Sequence, residues 1–74
     1  MFQRKRNPQN ELAQLLEIGL TQVHNEEPCM VDLGEVANYL TTKIMAEGDN
    51  VSWRKYPKAH DMMEESLSYI YEVI

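Results

Sequence analysis

The sequence predicts an all-α fold: a small three-helix bundle, assembled as a homodimer. Three observations lead there. Apolar residues recur at helical spacing in three separate stretches, each opened by a residue suited to a helix start. The two connections hold Asn, Pro and Gly where a helix would break. The last stretch, Pro57 to Ile74, carries more apolar surface than one core requires.

The first helix is expected over residues 8–24. Asn7 is a favoured N-cap, and Pro8 suits the first helical position, where a missing N–H costs nothing. Leu12, Leu15, Leu16, Gly19, Leu20 and Val23 then form a stripe of about 140° at 100° per residue, with Ile18 left on the outer face. Asn25 is expected to end this helix in the left-handed conformation, and Pro28 blocks any continuation.

The second helix is expected over residues 32–47. Asp32 as N-cap with Glu35 three residues on resembles a capping box, and Val31 with Val36 can form a hydrophobic staple. Leu33, Val36, Ala37, Leu40 and Ile44 give a narrower stripe of about 100°, flanked by Tyr39 and Met45. Gly48 is placed to close the helix.

The longest connection, GDNVSWRKY over residues 48–56, holds the single tryptophan and two basic residues. The third helix is expected over residues 57–74, with Pro57 in its first turn and Asp61 with Glu64 as a competing start. Met62, Met63, Leu67, Tyr69, Ile70, Tyr71, Val73 and Ile74 sweep about 200° of its circumference, twice the width that faces a single core. Such a helix has to be covered from two sides. We expect it to be the middle layer of the assembly, with Met62, Met63, Leu67, Tyr69, Ile70, Tyr71 and Ile74 as partner-binding residues.

Size supports association. Seventy-four residues make one domain, and a core of this size supplies only about 3–5 kcal/mol of net stability. The lone Cys29 forbids an intrachain disulfide and fits a reducing compartment. No apolar run approaches the ~20 residues that span a bilayer. Arg4-Lys5-Arg6 leads into Asn7-Pro8-Gln9-Asn10 rather than into the apolar segment of a signal peptide, so a cytoplasmic location is expected. Residues 1–6 read as a frayed basic tail with Phe2 as its only anchor, and 7–74 as a single domain.

The chemistry is sparse. His24, Glu26, Glu27 and Cys29 match no metal-ligand spacing, and His60 and Asp61 are adjacent on a helix and do not face each other, so no enzyme, metal or cofactor is expected. The expected function is that of a small regulator, adaptor or inhibitor acting by protein–protein interaction through helix faces. The alternative is a nucleic-acid-binding regulator using Arg4, Lys5, Arg6, Trp53, Arg54, Lys55 and Lys58, where cations would meet phosphates and an aromatic ring would stack on a base. The competing account of the same residues is that Trp53 and Tyr56 plug the end of the bundle while the cations offset nearby acids. Charge favours that account: from Asn10 onward four basic residues stand against twelve acidic ones, a balance that repels phosphate. A DNA-reading helix-turn-helix fits poorly, because the turn is too long and the would-be recognition helix presents Asp61, Glu64, Glu65 and Glu72.

Overall fold

A computed structural model describes residues 7–73, with side-chain surroundings described through residue 68; residues 1–6 and Ile74 lie outside the described residues. All regular structure in that range is helical: α1 (Pro8–His24), α2 (Leu33–Glu47), a 3-10 turn (Trp53–Lys55) and α3 (Pro57–Val73). No helix among the described residues is long and apolar enough to cross a membrane.

The helix starts follow their local chemistry. Asn7 Oδ1 accepts from the Gln9 N–H at 3.0 Å, and Asp32 Oδ1 accepts from the Glu35 N–H at 3.1 Å, so each cap satisfies one donor that the helix cannot. The end of α1 differs from expectation by one residue. Asn25 keeps φ at -88°, and the left-handed residue is Glu26 at φ 60°. The Glu26 N–H bonds Val23 O and the Glu27 N–H bonds Gln22 O, the paired bonds of a Schellman closure, in which the residue after the cap must turn left-handed. At the end of α2, Gly48 takes φ 88° and its N–H bonds Ile44 O at 2.7 Å.

The core is Ala13 and Leu16 from α1, Leu40 and Ile44 from α2, and Ala59, Met63 and Leu67 from α3. Leu12, Leu33, Val36, Ala37, Val51, Trp53 and Tyr56 close around it half-buried. On α2 the buried positions are those of the expected stripe. On α1 the buried face is rotated: Gln9, Ala13, Leu16 and Gly19 are inside, while Leu15 and Val23 are 42% and 52% exposed.

The cause is that α1 has two helical neighbours. It packs against both α2 and α3, whereas α2 and α3 share a smaller contact, so among the described residues of one chain α1 lies between the other two helices. Short side chains allow this. A Cβ added at Gly19 would come within 2.6 Å of Leu33 Cδ2 and 3.4 Å of Val31 Cβ, so the missing side chain is what admits the α1–α2 connection and the first turn of α2. Ala13 is fully buried in the same core.

Among the described residues Gln9 is the one buried polar residue, at 1% exposure, and its amide bonds through both its nitrogen and its oxygen. Nε2 donates to Gly48 O at 2.8 Å and to Glu47 Oε1 at 3.5 Å, while Oε1 accepts from the Asn50 N–H at 2.8 Å. On either side of it, Asn7 Nδ2 donates to Asn50 O at 3.0 Å, and Asn10 Oδ1 accepts from the Ser52 N–H at 2.8 Å. The first turn of α1 thereby holds the backbone of residues 48–52. No buried side-chain nitrogen or oxygen among the described residues lacks a partner.

Two stability predictions follow from this architecture. Gln9→Leu removes the partner of the Asn50 N–H and leaves the Gly48 carbonyl only the longer bond from Asn50 Nδ2 at 3.4 Å, and should cost about 1–3 kcal/mol, read from urea unfolding monitored by circular dichroism. Gly48→Ala meets no atom within 4 Å, so its cost is purely backbone strain of about 1–2 kcal/mol, whereas Gly34→Ala inside α2 should be neutral or stabilising by up to ~1 kcal/mol in the same assay.

Candidate functional site

The residues singled out by sequence separate into groups. Met63 and Leu67 are 1% and 3% exposed, part of the intramolecular core, and so are closed to a partner in this arrangement. Met62 is 40% exposed. Tyr69, Ile70, Tyr71 and Ile74 lie outside the residues whose side chains are described, as do Arg4, Lys5 and Arg6.

The loop aromatics turn toward the protein. Trp53 Nε1 lies 3.0 Å from both Asp49 carboxylate oxygens, and its ring sits 5.2 Å from that of His60 at 55°. With Tyr56 it packs against the core. A base-stacking ring would need an open face and an indole with nothing better to bind. Arg54 and Lys55 are exposed on the 3-10 turn, whereas Lys58 Nζ stands 3.7 Å from Glu17 Oε2. The same Glu17 carboxylate accepts from the Ala59 N–H at 2.9 Å, so it caps the first turn of α3 from a neighbouring helix.

Cys29 is exposed, and its thiol donates to Val31 O at 3.1 Å. Among the described residues no group of three or more His, Cys, Asp or Glu is arranged to hold a metal ion. A hollow of mixed lining and about 220 Å³ lies between Asp49, Trp53, His60, Glu64, Leu67 and Ser68, and the Trp53–Asp49 hydrogen bond is part of its wall.

The larger concavity is a groove of about 450 Å³ on the outer side of the α1–α2 pair, lined by Pro8, Glu11, Leu12, Leu15, Tyr39, Thr42 and Lys43. Its hydroxyls are already engaged: Tyr39 Oη donates to Glu35 Oε1 at 3.1 Å, and Thr42 Oγ1 donates to Asn38 O at 2.9 Å. What remains for an incoming group is carbon, with Leu15 at 42% and Tyr39 at 55% exposure. Charge stands at the margin. Glu11 and Lys43 belong to the wall, Lys43 Nζ is 3.9 Å from Glu47 Oε2, and Glu35 anchors the tyrosine.

The sequence held a signal for this groove. A stripe of about 140° on α1 is broader than one helix contact occupies, and the surplus falls on the Leu12–Leu15 edge. Placing that surplus on α1, beside Tyr39, required knowing which helix α3 covers.

No protein-family model, curated protein or solved structure matches this chain.

The Glu35 contact leaves a measurable mark. Its hydrogen bond to the Tyr39 hydroxyl, then its negative charge, then a small desolvation, all raise the phenol above the ordinary 10.0. The folded state therefore holds this proton more tightly than the unfolded chain. The associated stability is present below pH 10 and lost as pH rises through the folded-state value. Ultraviolet titration of Tyr39 should show a midpoint above 10.0, and Glu35→Gln should move it back toward 10.0.

Proposed function

We propose that this chain is a non-catalytic interaction module, a small regulator, adaptor or inhibitor that acts by docking on another protein through helix faces. The observation that supports it is the α1–α2 groove, a concave apolar surface with its hydroxyls already bonded and with side chains from two helices exposed together. Concave surfaces of mainly apolar character are where partner side chains find pockets, and anchoring residues in such pockets supply most of the binding energy. Helix-in-groove recognition is the mode that a channel between two helices suits.

Self-association through α3 belongs to the same proposal, with Met62 as its exposed member among the residues described. The nucleic-acid alternative has less support. Of its loop residues, Arg54 and Lys55 remain in solvent, while Trp53 bonds Asp49 and Lys58 lies beside Glu17.

Leu15→Glu tests the groove, because it places a charge on an exposed apolar wall without entering the core. Partners captured from native extract by the parent chain should be lost by this variant, with helicity unchanged. A captured set identical for both chains would overturn docking through the groove. Light scattering on the parent and on Met62→Asp tests the α3 dimer in parallel, since a parent chain that stays monomeric at high concentration excludes it.

A further inference from the structure

We propose that the hollow between the 48–56 loop and α3 is a binding site for an organic cation of the guanidinium class, with Glu64 as its counter-charge and the Trp53 ring as its stacking surface. The hollow is built from the loop and α3 and shares no lining residue with the α1–α2 groove, so this site is separate from the one on which the docking proposal rests.

One wall comes from helical periodicity. His60, Glu64, Leu67 and Ser68 stand at i, i+4, i+7 and i+8 of α3 and therefore share a face. Leu67, at 3% exposure, gives the hollow a carbon floor, while Glu64 and Ser68 stand in solvent. Neither Glu64 nor Ser68 has a side-chain hydrogen bond or ion pair among the described residues, so the carboxylate is open to an incoming donor.

The loop supplies the other wall. Trp53 Nε1 lies 3.0 Å from both Asp49 carboxylate oxygens, and its ring sits 5.2 Å from that of His60 at 55°. With the indole N–H engaged, the ring has only its π surface to offer the hollow. Asp49 serves here to fix that ring; the charge on which the site depends is that of Glu64.

The class of ligand follows from these parts. A carboxylate beside an aromatic ring attracts cations and repels anions. A guanidinium is planar, stacks on an indole and can give one carboxylate two parallel hydrogen bonds, whereas an ammonium is a compact, strongly hydrated point charge. Size agrees, because about 220 Å³ lies below the roughly 300 Å³ at which pockets for drug-sized ligands begin and suits a group the size of a side chain. The surrounding charge agrees too. From Asn10 onward twelve acids face four bases, Lys58 lies beside Glu17, and Arg54 and Lys55 do not line the hollow although they follow Trp53 in sequence.

Trp53 is the only tryptophan, so its indole N–H gives a single nuclear magnetic resonance signal from the wall of the site. Titrating the isotope-labelled full-length chain with ethylguanidinium at low salt should shift that signal together with the amides of His60, Glu64 and Ser68, saturating with a Kd on the order of millimolar. N-ethylurea has a similar shape without the charge and should bind about tenfold more weakly. Glu64→Gln changes an exposed side chain and should weaken ethylguanidinium roughly fivefold with the circular dichroism unchanged. A short arginine peptide and its citrulline counterpart identify the source. Tighter binding by the arginine peptide than by ethylguanidinium, lost on citrulline, assigns the cation to a partner protein; equal binding assigns it to a free guanidinium compound. Shifts that never saturate or that spread over the other acidic faces would overturn the proposal, as would equal binding of N-ethylurea or an affinity unchanged in Glu64→Gln. Docking through the groove is read by Leu15→Glu and partner capture, which leave this site intact, so the two proposals fail separately.

Discussion

The fold hangs on the first turn of α1. Asn7, Gln9 and Asn10 present three short amide side chains to the backbone of residues 48–52, and together they bond Gly48 O, the Asn50 N–H, Asn50 O and the Ser52 N–H. A buried amide is worth keeping only when all its hydrogen bonds are made, and Gln9 makes them. The consequence is directional. Residues 48–52 lead straight into the Trp53 turn and then α3, so fixing their backbone fixes where the third helix begins. In a domain this small, with seven buried apolar side chains among the described residues, an orienting polar cluster adds to what the core supplies.

The second constraint is that α1 serves two neighbours at once. Gly19 lets Leu33 and the connection before α2 approach on one side, while Glu17 reaches α3 on the other and caps its first turn at the Ala59 N–H. These demands pull the buried face of α1 away from its most apolar line. Leu15 and Val23 are left in solvent so that Gln9 and Ala13 can be inside. The exposed carbon on the α1–α2 side is thus a by-product of the way the bundle closes. It is also the surface on which the proposed function rests.

The same packing accounts for the fate of the loop residues. Trp53 packs against the core, its indole N–H held by Asp49 and its ring beside His60, so it is partly withdrawn from stacking on an outside ring. Lys58 similarly has an acid beside it, while Arg54 and Lys55 keep their solvent.

Local chemistry determined the helices of this chain. Asn7-Pro8, Asp32 with Glu35, and Pro57 start them, and caps act through bonds two or three residues long, so their outcome depends little on the rest of the molecule. The α2 stripe was equally legible, because its core contacts lie on one face. The end of α1 was legible to within one residue, with Glu26 rather than Asn25 taking the left-handed turn. Tertiary structure decided which helix lies in the middle, which leucines are covered and how α3 is capped. Periodicity gives the width of an apolar arc but not the number or direction of the neighbours that cover it. The Glu17 cap spans forty-two positions and the Gln9 clamp about forty, separations at which no local pattern carries information.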